Sequence, residues 1–357
     1  MRIVVRILAV VVLVVAAGIA WLALRKPAMR PPSDEKIEAT PARLARGEYL
    51  VEHVSDCFGC HSDHLWDRFA IPVKNGTKGQ GGYPFDAKLG VPGLVQAQNI
   101  TQDKETGLGD WTDGEILRAF REGVNRKNEA LFPMMPYEFF HSMSDEDARS
   151  VVAFLRTVPA VRHPIAPRRL DFPVNFMIKF APKPLTGPVP APDPKDGAAY
   201  GKYLVTIAGC AGCHTPHDDK GQPVQTAWFT GGWVMVGPWG RVVSANLTPD
   251  PDNYMGQASR DEFIGRFKAF ETLGGEGAPV ATPGKNTVMP WPAFSGMTKE
   301  DLGAIYDYLK TLPPVKKKVN HFPDAPQEAA PADQRAAAAK STLPPLRITP
   351  TRLPETA

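Results

Sequence analysis

The sequence predicts an all-α protein with two similar domains in tandem, preceded by one N-terminal transmembrane helix. Three features support this fold class: a charge-free apolar segment near the N-terminus, a long internal repeat, and apolar residues at helical spacing behind N-capping signals. The chain has 357 residues, a length that suggests two domains more readily than one. A formal net charge of +3 is too small and too dispersed to indicate a nucleic-acid partner.

The N-terminal segment, residues 7–24, reads "ILAVVVLVVAAGIAWLAL" and contains no charged residue. As a helix it would extend roughly 27 Å, close to the hydrocarbon thickness of a bilayer. The alternative is a cleavable signal peptide with Gly18-Ile19-Ala20 as its small-x-small cleavage site. The apolar run continues to Leu24, which is longer than a usual signal core and favours an uncleaved anchor.

The internal repeat defines the domains. Residues 46–61, "RGEYLVEHVSDCFGCH", align with residues 200–214, "YGKYLVTIAGCAGCH", with one single-residue gap. Residues 135–159, "MPYEFFHSMSDEDARSVVAFLRTVP", match residues 289–313, "MPWPAFSGMTKEDLGAIYDYLKTLP", without a gap. The apolar run and the repeat together divide the chain into five predicted segments. These are an anchor over 7–24, a first domain over 42–162, a connector over 163–194, a second domain over 195–320 and a tail over 321–357.

Each repeat has a helical pattern. A first helix carries Tyr49 in one copy and Tyr203 in the other, and it runs into the cysteine motif. A middle helix follows a capping box in both copies, and a last helix begins at Ser144 or Thr298. The boxes are Thr112 with Glu115 and Ser259 with Glu262. Long Gly- and Pro-rich loops lie between the helices, and such loops need a large partner to pack on.

The connector contains nine prolines and is expected to be extended and semi-stiff. Its centre, "FPVNFMIKF", is too apolar for a solvated linker, so we expect it to lie along one or both domains. The Ala- and Pro-rich tail is expected to be mostly irregular.

The four cysteines form two Cys-x-x-Cys-His motifs, the pattern of covalent c-type haem attachment. The motif residues are Cys57, Cys60 and His61, and Cys210, Cys213 and His214. Structural zinc would require further Cys or His ligands at short spacing, and a thioredoxin-like dithiol would require a βαβ setting; neither pattern is present. We therefore expect two covalently attached c-type haems, with His61 and His214 as iron ligands.

The second axial ligand should occur late in both repeats. Met135 and Met289 satisfy this requirement, since each precedes a proline just before the last helix. Met143 and Met297 are a rival pair, but each directly precedes a helix N-cap, where apolar packing explains a methionine without iron. His64 and His217 are tethered on the proximal side, where propionate or backbone contacts are expected. His/Met ligation closes both axial positions and favours electron transfer over catalysis at the haem.

These residues resemble membrane-associated class I c-type cytochromes with tandem haem domains. They are most similar to cytochrome c subunits of periplasmic alcohol, aldehyde or gluconate dehydrogenases. The resemblance covers about residues 42–160 and 195–315, and it rests on CFGCH, CAGCH, "GPWGRVVSANLTPD" and the two Met-Pro segments. It implies that Asn99 and Asn246 help to hold haem propionates, with an ordinary turn residue as the alternative.

The function expected from these features is that of a membrane-tethered dihaem electron carrier, not an enzyme. It would be a single-pass protein of the bacterial inner membrane with its haem domains in the periplasm. The expected partners are a periplasmic dehydrogenase or respiratory-chain redox proteins. The alternatives are a dihaem peroxidase-type enzyme, which needs a releasable distal ligand, and a structural subunit with passive haems.

Overall fold

The computed structural model describes residues 2–218, 221–237 and 240–325, so the predicted irregular tail lies almost wholly outside the described residues. Helix α1 (Arg2–Leu24) has 23 residues and is long and apolar enough to cross a membrane. The helix begins five residues before the apolar segment predicted from Ile7, and its first turns contain Arg2 and Arg6. The whole of its apolar window is exposed.

The first repeat, residues 42–162, is mainly helical. Its elements are α2 (Pro41–Tyr49), strands β1 (Pro84–Phe85) and β2 (Gly93–Gln96), and helices α3 (Asp113–Glu122), α4 (Tyr137–Phe140) and α5 (Asp145–Leu155). A π-helical turn (Leu50–Val54) extends α2 toward the cysteine motif. The predicted starts of the middle and last helices are confirmed: the Thr112–Glu115 capping box has both of its hydrogen bonds, and Ser144 caps α5.

The connector lies against the first repeat. Strand β3 (Arg169–Leu170) pairs antiparallel with β2, which gives a three-stranded sheet in the order β1-β2-β3. Helix α6 (Val174–Met177) follows and continues into a 3₁₀ turn (Ile178–Phe180). These strands, two to four residues long, are an addition to the predicted all-α fold. Strands this short leave little signal in a sequence.

The second repeat, residues 195–320, keeps the order of the four helices of the first repeat and adds two short ones among its described residues. Its elements are α7 (Gly197–Ile207), α8 (Cys210–His214), the antiparallel ribbon β4 (Val234–Gly237) and β5 (Gly240–Val243), and helices α9 (Tyr254–Gln257), α10 (Arg260–Lys268), α11 (Trp291–Ser295) and α12 (Lys299–Lys310). The two added helices are α8 and α9. The Ser259–Glu262 capping box again has both hydrogen bonds, and Thr298 caps α12. The predicted starts of the middle and last helices are therefore confirmed in both repeats. The last helices end at Leu155 and Lys310, three or four residues before the prolines expected to stop them.

The first and last helices of each repeat cross at a glycine. A Cβ added to Gly47 of α2 would collide with the carbonyl oxygen of Ser150 in α5, and one added to Gly201 of α7 would collide with that of Ala304 in α12. Because the blocking atoms belong to the backbone, only glycine allows the two helices to approach this closely. The crossing fixes where each first helix ends, and therefore where each cysteine motif begins.

The two repeats pack against each other in a reciprocal way. Helix α4 of the first repeat contacts α7 of the second, and α11 of the second contacts the Leu50–Val54 turn of the first. His53 in that turn lies 3.0 Å, through Nδ1, from the carbonyl oxygen of Ala293. One continuous apolar core contains buried residues from both repeats. The cysteine motifs follow directly from the two elements at this contact.

Candidate haem-binding sites

Both cysteine motifs begin with a residue in the left-handed backbone region. Asp56 (φ 44°) precedes Cys57, and its Oδ1 accepts a hydrogen bond of 3.2 Å from the amide of Gly59. Gly209 (φ 66°) occupies the same place before Cys210. The single-residue gap between the repeats therefore lies upstream of this position. The same sharp turn starts both motifs, once with an aspartate whose side chain caps the turn and once with a glycine.

All four cysteines are free thiols, and all four lie in strongly desolvated surroundings. Burial raises the pKa of Cys57, Cys60 and Cys210 to about 12 and that of Cys213 to about 11. Thiols with such pKa values are protonated at neutral pH, unlike the thiolates of a redox-active dithiol. Within the described part of the chain, no group of three or more His, Cys, Asp or Glu side chains is arranged to hold a metal ion.

The two motifs lie near each other across the contact between the repeats. The negative charge of a Cys213 thiolate is one of the causes that raise the pKa of Cys60, after burial and Asp56. Solvent reaches the side chains of Cys60 and Cys213, although neighbouring protein lies close to both. On the same contact, the ring of Phe139 in α4 lies close to Gly212, 3.1 Å from the position of an added Cβ. The structure therefore brings the second cysteine of each motif to the surface where the repeats meet.

His61 and His214 are held in the same way in both repeats. The Nδ1–H of His61 donates to the carbonyl oxygen of Gln98 at 2.6 Å, and that of His214 donates to the carbonyl oxygen of Ala245 at 2.8 Å. A carbonyl oxygen only accepts, so Nδ1 carries the proton and Nε2 keeps a free lone pair. Burial lowers the pKa of both imidazoles, which favours their neutral form. This tautomer fits an iron atom bound at Nε2, since metal-bound histidines usually donate their other N–H to such a partner.

A glycine supports each histidine, and sequence reasoning missed it. The amide of Gly81 donates to the carbonyl oxygen of His61 at 2.9 Å, and the amide of Gly231 donates to that of His214 at 2.8 Å. Both glycines have positive φ, 77° and 60°, and both pack against the carbonyl that holds the imidazole. The signal in the sequence was a Gly-Gly-aromatic triplet present in both repeats, at residues 81–83 and 231–233.

The methionine pairs lie in different surroundings. Met135 and Met289 are partly buried at the edge of the core, where Cys57 and Cys210 also lie. Each accepts, through its carbonyl oxygen, a 2.8 Å hydrogen bond from the residue after the following proline, so the Met-Pro turn is the same in both repeats. Met143 and Met297 are each only 1 % exposed and pack inside the core just before a helix N-cap. Apolar packing before an N-cap, the explanation that needs no iron, therefore describes the positions of Met143 and Met297.

His64 and His217 pack against the aromatic residues of the two triplets, the first edge-to-face and the second tilted. The ring of His64 lies 5.3 Å from that of Tyr83, and the ring of His217 lies 4.3 Å from that of Trp233. Burial lowers the pKa of both histidines. Their Nδ1 atoms are buried without a hydrogen-bond partner among the described residues. These ring contacts hold the loop that follows each motif.

Asn99 and Asn246, which were expected to help hold haem propionates, make hydrogen bonds within the protein. The Nδ2 of Asn99 donates to the carbonyl oxygen of Val161 at 2.7 Å, and its Oδ1 accepts from the amide of Thr101 at 2.9 Å. Asn246 donates to the carbonyl oxygen of Val315 at 2.8 Å and likewise has an internal acceptor role. Each asparagine side chain therefore connects two segments. One follows the last helix of the repeat, and the other is the loop whose backbone carbonyl accepts the hydrogen bond from the motif histidine. These contacts fit the turn-residue alternative for both asparagines.

Comparison with known proteins agrees with this geometry. The sequence profile of the cytochrome c family matches residues 198–313. The chain is 30 % identical over 339 residues to the cytochrome c subunit of the quinone-dependent alcohol dehydrogenase of Gluconacetobacter polyoxogenes. It is 29 % identical over 292 residues to the gluconate 2-dehydrogenase cytochrome c subunit of Pantoea cypripedii. A dihaem cytochrome c-type protein of Cereibacter sphaeroides is 28 % identical over 313 residues.

The extent of these matches differs. The first comparison covers 88 % of this chain and 64 % of the relative, and the second covers 77 % and 60 %. The chain thus spans less than two thirds of the length of these dehydrogenase subunits. The dihaem protein is matched over 85 % of this chain and 97 % of its own length. From the profile match, the relatives and the two histidine sites together, the chain belongs to the cytochrome c family.

Proposed function

We propose that the protein is a membrane-tethered dihaem c-type cytochrome that transfers electrons between a periplasmic dehydrogenase or respiratory complex and a downstream acceptor. The observation that carries the proposal is the duplicated histidine site. In both repeats a neutral imidazole donates from Nδ1 to a backbone carbonyl and leaves Nε2 free for iron. A single such site could arise by chance, whereas two sites with the same supporting glycine indicate one selected arrangement.

Two haems are assigned by this proposal, one to each cytochrome c domain, over residues 42–162 and 195–320. Cys57 and Cys60 would hold the first haem by thioether bonds, and Cys210 and Cys213 the second. His61 and His214 would be the proximal iron ligands, with Met135 and Met289 on the opposite faces. Support for the methionines comes from their identical Met-Pro turns and from their partly buried position against the apolar core.

Bound haem iron supplies a one-electron redox centre whose potential depends on its axial ligands. The protein residues orient the imidazole, exclude water through the surrounding core and set the separation of the two centres. The proximity of Cys60 and Cys213 supports transfer between the two centres within one chain. Closed His/Met coordination would leave no position for peroxide or oxygen, which supports an electron carrier over a peroxidase-type enzyme.

Helix α1 is assigned as the anchor in this proposal, so the protein would cross the inner membrane once. Covalent haem attachment to Cys-x-x-Cys-His is expected on the periplasmic side, so the haem domains would lie there. The names of the relatives support a dehydrogenase partner, since several are cytochrome c subunits of alcohol, gluconate or fructose dehydrogenases. The electrons that reduce this cytochrome would then come from the substrate that its partner dehydrogenase oxidises.

The test uses the native membranes. The protein should copurify with a dehydrogenase, and addition of that enzyme's substrate should reduce both haems. Haem determination should give two haems per chain, and the N-terminal peptide should still include α1. One haem per chain would contradict the dihaem assignment. Carbon monoxide binding to one reduced haem, together with peroxide turnover above that of free haem, would instead favour the enzymatic alternative.

A further inference from the structure

The centre of the connector exposes large apolar side chains. Phe172 is 81 % exposed, Met177 is 60 % exposed and Phe180 is 49 % exposed. Ile178 points the other way and is buried, which holds the short helix against the protein. We call residues 172–180 the connector foot. A soluble protein rarely gathers its exposed apolar residues in one short segment, so this surface needs a partner.

The connector foot is attached to the C-terminal end of α1. The Nζ of Lys179 donates to the carbonyl oxygens of Leu22, at 3.0 Å, and Ala23, at 2.7 Å. The last carbonyls of a helix have no donor within the helix, and in a membrane they need one from elsewhere. Lys179 supplies it with an ammonium group on a long apolar stem, which is how lysines reach the edge of a bilayer.

Aromatic rings and an arginine complete this contact. The ring of Phe180 lies 6.4 Å from that of Trp21, and the guanidinium carbon of Arg25 lies 4.4 Å from the centre of the Phe180 ring. The same guanidinium lies 5.1 Å from the centre of the Trp21 ring. Tryptophan with flanking basic residues marks the level at which a membrane helix leaves the hydrocarbon. The connector foot therefore lies at the depth of the membrane interface if α1 spans the bilayer.

The charges beside the foot are mainly positive. Arg169 and Lys183 are exposed on its two sides, and Lys26 is exposed just after α1, whereas Asp171 is the acidic residue next to Phe172. Such a surface, with exposed apolar residues framed by basic ones, fits the boundary between anionic headgroups and acyl chains. A second protein would have to reach this surface at the same depth, beside the last turn of α1.

We propose that the connector foot inserts into the interface of the bilayer that α1 spans, preferably one with anionic lipids. This inference rests on the anchor assignment of the proposed function. Two contacts at separate points of the chain would fix the haem domains in one orientation to the membrane. A single helix followed by a flexible segment would leave them free to rotate.

The test labels the full chain in vesicles with a lipid-soluble photoactivated carbene reagent and maps the labelled peptides. We expect label in residues 2–24 and in the connector foot. The peptide around Val280 is the matched control, because Val280 is 66 % exposed but belongs to the second repeat, far from α1 in the sequence. It should stay unlabelled. Vesicles with phosphatidylglycerol should give at least twofold more label in the foot than vesicles with phosphatidylcholine alone.

The outcomes separate this inference from the anchor assignment. Label in residues 2–24 without label in the foot overturns the inference and leaves the anchor intact; coverage of the foot by a second copy or another protein would give the same pattern. If α1 has been removed from the mature chain, the anchor assignment fails. The inference then fails with it, because the depth of the foot is argued from its contacts with the end of α1.

A paired substitution gives a second measurement. Phe172→Glu together with Met177→Glu should reduce foot labelling to the level of the Val280 peptide, with haem content and α1 labelling unchanged. Val280→Glu should leave foot labelling unaltered. Foot labelling that persists in the double variant contradicts the insertion of these side chains. If the double variant does not mature, the labelling of the unmodified chain still decides the inference.

Discussion

The hydroxyl of Tyr49 donates a hydrogen bond of 2.5 Å to Oδ2 of Asp301, which joins the first helix of one repeat to the last helix of the other. The same hydroxyl accepts a hydrogen bond of 3.1 Å from the amide of Thr298, the N-cap residue of α12. Tyr203 makes the equivalent pair in the opposite direction, with Asp147 at 2.6 Å and the amide of Ser144 at 3.1 Å. Each repeat therefore caps the last helix of its neighbour.

The reciprocal contact explains how a duplicated domain becomes one unit. Each repeat contributes the same surface, made of the tyrosine of its first helix and the N-terminus of its last helix. The two copies of this surface contact each other, as the subunits of a symmetric dimer do. The symmetry is not complete, since Arg46 forms a two-pronged ion pair with Asp147 and has Tyr200 at its own equivalent position. The tyrosine pairs lie beside the elements that lead into the two cysteine motifs, so they set the distance between the proposed haems.

Replacement of these tyrosines should weaken the contact between the repeats. Tyr49→Phe or Tyr203→Phe removes a hydrogen bond to a carboxylate, and each should lower the free energy of unfolding by about 2 kcal/mol. Tyr306→Phe is the control, because its hydroxyl donates to the Ala258 carbonyl within one repeat and should cost about 1 kcal/mol. Urea titration of the detergent-solubilised holoprotein measures both. Equal losses in all three variants would argue against a special role for the contact.

The same variants should also change electron exchange between the haems. A loosened contact increases the average separation of the two sites, so the rate of intramolecular transfer should fall in Tyr49→Phe and remain unaltered in Tyr306→Phe. Flash reduction of one haem followed by spectroscopy would measure it. An unchanged transfer rate in a destabilised Tyr49→Phe protein would contradict the prediction. It would mean that the contact stabilises the fold without setting the separation of the haems.

The two methionine pairs provide a test of the axial ligands. Met135→Leu or Met289→Leu should each remove about half of the weak sulfur-to-iron charge-transfer band at the red edge of the visible spectrum and lower one haem potential. Met143→Leu and Met297→Leu are the controls, because these side chains are buried in the core and have nearly the volume of leucine. They should keep the band and cost less than about 1.5 kcal/mol of stability. The reverse result would transfer the ligand role to Met143 and Met297.

The parts of the fold with side-chain signatures could be predicted from the sequence. The capping boxes at Thr112 and Ser259 gave the helix starts, and the residues before the N-caps, Met143 and Met297, are packed as expected. The histidine partners could not be predicted, because the carbonyl oxygens of Gln98 and Ala245 belong to the backbone and any residue could supply them. The internal contacts of Asn99 could not be predicted for a related reason, since an asparagine amide bonds to neighbouring backbone groups as readily as to a cofactor.

The supporting glycines should be sensitive to added bulk. A Cβ on Gly81 would lie 2.7 Å from the Gln98 carbonyl oxygen, the group that orients His61. Gly81→Ala should therefore shift that carbonyl and move the potential of the first haem. Gly76→Ala is a close control, because Gly76 has φ 78° with open space around it, against φ 77° for Gly81. It should cost about 1 kcal/mol for the left-handed backbone and leave the potential unchanged. Potentiometric titration of both variants distinguishes these outcomes, and equal potentials would contradict the role of Gly81.

The helix crossing gives the largest predicted loss of stability. Gly201→Ala would force a methyl group into the Ala304 carbonyl, and neither helix can move without disturbing its own core and the start of the second cysteine motif. We expect a loss of about 3 kcal/mol, at the upper end of the cost of overpacking. Gly265→Ala, in α10 with nothing near its added Cβ, should instead stabilise the protein by up to about 1 kcal/mol through helix propensity. Thermal unfolding of the two holoproteins gives the sign of each change. A Gly201→Ala protein as stable as the unmodified chain would mean that the helices of the second repeat do not cross at this glycine.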